Sequence, residues 1–338
     1  PLRAQPQTAS GDTVLTLSEA YRTALAQNER IESARMQRLV AGENVTQAES
    51  ALYPQLSLRA RKYREKEQPS VGGATFPDEQ TVWGADLSQP LYQGGQLLYG
   101  MNRAEYERQR VKFQVYRLKQ NVLFGVARSY YEVILAKKNE ELAENALERA
   151  KSQLDRARAR YEVGNVTKNA VLRAEVDVSE ARQQKVEARN QRDQALEALA
   201  VELGESGVDQ SLREPGTDNP ENRKNESLVQ EAYEHRKDIE QSQFALKAAR
   251  ENVKYERADY YPNVSLVGSY DNYKEQQFGT PEEDWRVTLQ GSYPLFSGWK
   301  ETSDVDEAQY SFRNARISHR RLKREVRRDV RHVETRAG

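Results

Sequence analysis

The sequence contains no cysteine, which excludes a disulfide framework, a thiolate metal site and a lipidated N-terminal cysteine. It also lacks any run approaching the ~18 consecutive apolar residues that a membrane-spanning helix requires, so any membrane span has to be built from strands. Net charge is missing too. The 52 basic and 52 acidic side chains cancel, which argues against a dedicated nucleic-acid binder, although charged residues make up 31% of the chain and mean hydropathy is −0.93. The opening Pro1-Leu2-Arg3 has neither Met nor an apolar signal core, and a processed or trimmed chain is expected.

Chemical sites are equally sparse. The three histidines, His235, His319 and His332, stand far apart without metal-ligand spacing, so surface positions are expected, with neither metal nor cofactor. Carboxylates are interspersed with Lys and Arg along helical stretches, which reads as solvated faces rather than acid/base pairs; no catalytic residue is expected. The basic run Arg320 to Arg331 is interrupted by Glu325 and Asp329 and reads as a solvated or pore-facing helix.

What the sequence does contain is an internal repeat. Leu17 to Tyr21 returns as Leu228 to Tyr233 with a one-residue adjustment, Glu43-Asn44-Val45 returns as Glu251-Asn252-Val253, and Leu52-Tyr53-Pro54 as Tyr260-Tyr261-Pro262. Further on, Gln89-Pro90-Leu91-Tyr92-Gln93-Gly94 is echoed by Tyr293-Pro294-Leu295-Phe296-Ser297-Gly298, and Ala104-Glu105-Tyr106 by Ala308-Gln309-Tyr310. The period is far longer than the ~20 to 50 residues of solenoid repeats, so this is a duplicated half-domain.

The expected organisation is an N-terminal tail over 1–16, a first repeat over 17–203, a linker over 204–227 and a second repeat over 228–338. Arg327 and Arg328 stand where the first copy has Leu123 and Phe124, and the second copy stops at Gly338, opposite Ile134. A truncated second repeat is therefore expected, its intact form carrying a further hairpin of about 65 to 75 residues.

Within one repeat the periodicity changes twice. Leu17 to about Ala51 reads as helix, with Ser18 as cap and a break near Asn28, and Pro54 marks the change to extended structure. Alternating apolar residues then predict strands over 55–63 and 81–92, and over 263–273 and 285–296 in the second copy. Gly/Pro-containing stretches, Gln68 to Pro77 and Phe278 to Pro281, separate the members of each pair. Trp285, Val287, Leu289, Tyr293 and Leu295 occupy every second position with aromatics near both ends, as do Trp83, Leu87 and Leu91 in part. That length and girdle pattern fits a membrane barrel strand with these residues facing lipid, and equally the edge of a small soluble β-sandwich.

After Gly94-Gly95 a helix is expected from about Leu98 to Glu162, with one seam through Val115, Leu118, Val122, Val126, Tyr130 and Val133 and another through Leu142, Ala146, Ala150, Leu154, Ala157 and Tyr161. At 1.5 Å per residue it would be roughly 95 Å long, beyond what a globular core can bury, so a coiled-coil hairpin over about 98–203 is expected. Its turn is Val163-Gly164-Asn165-Val166-Thr167, with Gly164 ending one helix and Thr167 capping the next. The returning arm carries a narrow stripe of Val171, Ala174, Val178, Ala181, Ala188 and Ala195.

A duplicated unit of helix, strand, strand and long helical hairpin resembles the TolC family of bacterial outer-membrane efflux proteins. Ala51-Leu52-Tyr53-Pro54, Gln89 to Gly95 and Arg160-Tyr161-Glu162-Val163-Gly164 look like its local motifs. The resemblance implies a mainly α fold with a membrane β-barrel portion, in which a homotrimer shares one barrel and builds a periplasmic tunnel as a passive exit duct for efflux or type I secretion. It further implies a periplasmic adaptor, or membrane fusion protein, docking at Tyr161, Val163, Gly164, Asn165, Val166 and Thr167, an inner-membrane transporter, and contact with outer-membrane lipid. Pro54, Pro90, Gly94, Gly95, Pro262, Pro294 and Gly298 would mark the bends between barrel and tunnel. The family's closed-state constriction lies in the second hairpin, so no gate residue is assigned.

Independently of the resemblance, four strands are too few to close a membrane barrel, since the smallest need about eight, so such a chain has to share its barrel. Two other classes stay open: a periplasmic coiled-coil adaptor, which would carry a single hairpin within a lipoyl-like domain, and a soluble coiled-coil scaffold.

Overall fold

The computed structural model describes residues 14–64, 79–208, 211–214, 225–274 and 282–337. Residues 1–13 of the expected tail, both Gly/Pro stretches, the Pro215 to Pro220 part of the linker and the His332 side chain lie outside the described residues. The chain is mainly helical, with one small antiparallel sheet. It divides into two compact units, Pro1–Met36 with Val115–Asn222, and Gln37–Gln114 with Arg223–Gly338. Helices α2 (Glu29–Ser50) and α3 (Gln96–Glu162) contribute residues to both.

The first unit holds helix α1 (Leu17–Gln27), most of α3 and α4 (Lys168–Leu203). The N-cap of α1 is Thr16, not Ser18: Thr16 Oγ1 accepts the Glu19 N–H at 3.3 Å while Glu19 Oε2 accepts the Thr16 N–H at 2.8 Å. This capping box satisfies two donors that the first helical turn leaves orphaned, and the hydrogen bonds hold the Glu19 carboxyl below its usual range. Asn28 ends α1 by leaving the helical region; its Oδ1 accepts the Arg30 N–H at 3.0 Å, and its amide donates to the Glu202 carbonyl at 2.9 Å. Ala20, Ala24, Ile31, Val122, Val126, Tyr130, Val133, Leu199 and Leu203 close around one another as the core of this unit.

Tyr130 is the largest member of that core, and its hydroxyl reaches two backbone carbonyls, Leu15 at 2.8 Å and Arg213 at 2.6 Å. Those two segments also pair with each other: Leu15 N–H donates to Ser211 O and Arg213 N–H to Leu15 O. Burial pushes the phenol pKa up, so the hydroxyl stays a donor. Further along the hairpin the seam differs from expectation. Leu147 and Leu154 are buried against Ala174, Val178 and Ala181, whereas Leu142 is exposed. The buried line keeps a seven-residue spacing through Val126, Val133, Leu147 and Leu154, and Leu142 lies off that line.

The second unit holds the sheet, helices α5 (Asn225–His235), α6 (Lys237–Arg257) and α7 (Lys300–Ala337), and the first part of α3. The strands β1 (Gln55–Arg64), β2 (Glu79–Gln93), β3 (Asn263–Tyr273) and β4 (Glu283–Ser292) run in sheet order β1-β2-β3-β4, all antiparallel. Prolines punctuate it: Pro54 and Pro262 stand immediately before β1 and β3, where a missing N–H costs the ladder nothing. Strand β4 ends at Ser292, short of the expected 296, because its ladder partner β3 begins at Asn263 behind Pro262. Tyr293 and Leu295 therefore lie outside the strand.

Helices α6 and α7 pack along Ile239, Ala248, Val305, Ala308 and Val326. Two polar contacts accompany them: Arg236 pairs with Asp238 at 2.7 Å and Asp329 at 3.7 Å, and Ser242 Oγ meets His319 Nδ1 at 2.7 Å. His319 is thus half-buried rather than a surface residue, and burial followed by the charge of Lys323 lowers its pKa. His235 is exposed.

Candidate functional site

Three places answer to the sequence's candidate residues, beginning with the hairpin tip. Gly164 has φ 79°, the left-handed region that glycine enters without Cβ strain. Its N–H donates to Tyr161 O at 2.9 Å and the Asn165 N–H to Arg160 O at 2.8 Å, the paired bonds of a Schellman motif. Gly204 ends α4 the same way, with Gly204 N–H to Val201 O and Glu205 N–H to Ala200 O. Thr167 is the N-cap of α4 in extended conformation, but its hydroxyl makes no capping bond, contrary to expectation. Tyr161 and Val163 stand exposed, Val163 at 70%, and Val166 is half-buried. The tip thus holds apolar side chains outward on a hydrogen-bonded turn.

The second place is the sheet. Cross-strand pairing puts Leu58 beside Ala85, Ala85 beside Tyr270, and Tyr270 beside Trp285; the neighbouring rank runs Leu56, Leu87, Gly268, Val287, with Leu266 opposite Leu289. One face is therefore apolar across these central ranks, with Gln89 and Asn272 at their borders. Its side chains are exposed, Leu58 at 84% and Leu289 at 66%. In β2 the alternation breaks between Pro90 and Tyr92, where Leu91 takes no partner and Tyr92 pairs with Val264. The bulge adds one residue, so Tyr92 rather than Leu91 resumes the apolar rank.

The opposite face is polar, and a feature there escaped the sequence reading. Arg59 Nη1 donates to both oxygens of Asp86 at 2.6 Å, and Nη2 to those of Asp271 at 2.6 and 2.7 Å, a planar fork matched on both sides. Gly84 makes room for it. A Cβ there would stand 2.5 Å from Asp271 Oδ1 and 2.8 Å from the Tyr270 carbonyl. The only sequence signal was an Arg and two Asp on strands expected to alternate with apolar residues.

The third place is the pair of junctions leaving β2 and β4. Gly94 (φ 60°) and Gly95 (φ 86°) turn the chain into α3, and Gly298 (φ 69°) and Trp299 (φ 69°) turn it into α7. Pro294 and Leu295 lie in the non-helical link ahead of that second turn. Trp299 is the one described non-glycine residue with positive φ.

Among the described residues no group of His, Cys, Asp or Glu is arranged to hold a metal ion, and no helix is long and apolar enough to cross a membrane. The profile of the family described as "Outer membrane efflux protein" matches residues 20–205 and 228–334. The outer membrane protein TolC of Vibrio cholerae is 26% identical over 93% of this chain and 73% of its own length. The alkaline protease secretion protein AprF of Pseudomonas aeruginosa is 24% identical over 88% of this chain and 64% of its own. The crystal structure of the Campylobacter jejuni CmeC outer membrane channel superposes with a TM-score of 0.77 at 18% identity, over 90% of this chain and 67% of that one, and shares the fold. With the family matched across both repeats, the chain belongs to the outer membrane efflux proteins, a family of outer-membrane transport proteins rather than enzymes.

Proposed function

We propose that the chain is one subunit of a trimeric exit duct in which its four strands join those of two further copies in a shared membrane barrel. The 67-residue α3, about 100 Å at 1.5 Å per residue, and α4 form the periplasmic tunnel wall. One observation carries the reading: a sheet whose apolar face is covered by no other part of the described chain, and whose outer strands β1 and β4 each have an edge without a partner in it. In water such a sheet would be an aggregation template; in lipid with closed edges both problems vanish. The polar face, with Arg59, Asp86 and Asp271, would line the water-filled lumen.

The tip around Tyr161, Val163 and Gly164 would meet a periplasmic adaptor, and through it an inner-membrane transporter supplying the energy. A wide passive pore selects by size and charge, so no cargo-specific site is expected. Replacing Leu289 with Arg, on the face assigned to lipid, should cost about 2 to 4 kcal/mol of membrane assembly, while a charge at Thr288, on the lumen face, should cost little. Outer-membrane yield of the two variants is the measurement. Equal impairment would refute the assignment of faces, and recovery of the parent protein in a detergent-free soluble fraction would favour a scaffold.

A further inference from the structure

Resting on the reading of the apolar sheet face as the lipid face, we propose that the hairpin end of the sheet binds a phosphate-bearing lipid, its headgroup on Lys62, Lys274 and Arg64 and one acyl chain in a groove beside Trp83. The register settles which residues share that face. Beyond the rank of Leu58, Ala85, Tyr270 and Trp285 comes Ala60-Trp83-Asn272-Glu283. Two residues further along, Lys62 pairs with Thr81, whose carbonyl accepts the Lys274 N–H at 3.0 Å, and after them Arg64 pairs with Glu79. Between Leu56 and Lys62 the face thus passes from aliphatic to aromatic to cationic within about 20 Å of strand.

The charge is confined to one end of the face. At the other end, where the strands join α2, α3, α6 and α7, the same face carries Gln89, Leu266, Leu289 and Gly291 and no charged side chain. Pairing within the hairpin accounts for part of the cationic end: Glu79 is shared between Lys62 at 3.0 Å and Arg64 at 3.6 Å. It does not account for Lys274, which is exposed and meets no carboxylate among the described residues. Three cations against Glu79 and Glu283 leave positive charge in excess at the level where a lipid headgroup would lie. Lys62 and Lys274 flank Thr81 from the strands on either side, about 10 Å apart at the backbone. Their four-carbon stems can bring both ammonium groups onto one phosphate.

The groove supplies the other half of the ligand's recognition. Ala60 and Ala85 stand diagonally between Leu58, Trp83 and Tyr270, and the small residues leave a shallow depression of about 410 Å³ between the large ones. Trp83 and Tyr270 are exposed, so their rings form its walls rather than a lid over it. An acyl chain laid over Ala85 and Ala60 leads its headgroup to the Lys62 rank, two residues or about 7 Å further along the strand. Its methylenes are then covered by Leu58 and the two rings while its phosphate meets the lysines. A free phosphate would satisfy only the second half of this surface, and a neutral lipid only the first.

The chain has three tryptophans, Trp83, Trp285 and Trp299, and the first of them can report on the site. With Trp285→Phe and Trp299→Phe in place, the full chain is reconstituted into phosphatidylcholine vesicles, and phosphatidylglycerol with brominated acyl chains is titrated in beside a matched series with brominated phosphatidylcholine. Trp83 fluorescence should be quenched at a lower mole fraction of the anionic lipid. Lys62→Gln and Lys274→Gln should each raise that fraction about fivefold. High salt should weaken the preference of the chain that keeps both lysines, which preserves the test where a Gln variant assembles poorly. Equal quenching by the two lipids before either lysine is changed, or a preference that survives loss of both, would overturn the site and leave the lipid face standing. Absence of quenching by either lipid would remove the lipid face itself, and the site with it.

Discussion

In the helical unit Tyr130, Val122, Val126 and Val133 are wholly buried, while in the sheet Leu58, Trp285, Val287 and Leu289 face outward with nothing from the described chain over them. Both sets come from sequence segments of clear apolar periodicity. The difference lies in where the partner surface comes from: α1, α3 and α4 cover one another, whereas the sheet has helices on neither face. Apolar surface left open at this scale has to be covered by lipid or by another chain, so the two regions should respond differently to their surroundings.

The sharpest way to break the contrast is at Tyr130. Tyr130→Ala should cost about 3 to 5 kcal/mol through the cavity it leaves, and Tyr130→Phe about 1 to 2 kcal/mol, because the Arg213 carbonyl loses its buried partner. Denaturant titration, read from amide exchange of α1 and α4, should give the same loss in detergent and in lipid. A loss that depended on lipid would show that the helical unit is not self-sufficient.

On the sheet, Gly84→Ala should cost about 1 to 3 kcal/mol, since the added Cβ has to displace Asp271 or the Tyr270 carbonyl. Here the readout is folding into lipid vesicles. Wild-type yield from this variant would mean that the Arg59 fork is dispensable.

At the tip the space is open and only the backbone resists. Nothing lies within 4 Å of a Cβ on Gly164, so Gly164→Val is opposed by its φ of 79° alone, about 1 to 2 kcal/mol of local strain. Export in cells should fall while the amount of assembled protein stays constant; loss of assembly instead would assign the turn to folding.

The smallest effect concerns His319. Its pKa is lowered from 6.5, so the unfolded chain takes up the proton more readily than the folded one. The stability of the neutral ring against Ser242 is then present above about pH 6.5 and lost as pH falls through the folded pKa. Melting of α6 and α7 should occur at a lower temperature at pH 5 than at pH 7.5, and His319→Gln should flatten that difference.

The sequence made regular elements legible wherever a period or a breaker residue repeated. The hairpin turn could be placed because Gly164 has no competitor nearby, and the break at Asn28 because a short polar residue interrupts an apolar helix face. The choice of Ser18 over Thr16 as cap was an avoidable miss, since Thr16-x-x-Glu19 is a capping-box pattern. The Leu91 assignment failed for another reason: a bulge shifts parity, and a proline flags it without giving its size. The Arg59 fork and the two carbonyls on Tyr130 were out of reach, because they join segments far apart in the chain whose meeting depends on sheet order and helix packing.

The two Schellman glycines have a consequence for how such a chain can change length. Leu147 and Leu154 are seven residues apart in one arm, and Ala174, Ala181 and Ala188 are seven apart in the other, while Gly164 and Gly204 fix both ends of the returning arm. The hairpin therefore works as a ruler graduated in heptads. A deletion in one arm alone would slide every apolar residue past its partner, but removing one heptad from each arm would shorten the hairpin by about 10 Å with the seam and both turns intact. Relatives that reach across periplasms of different width can be expected to differ by such paired steps.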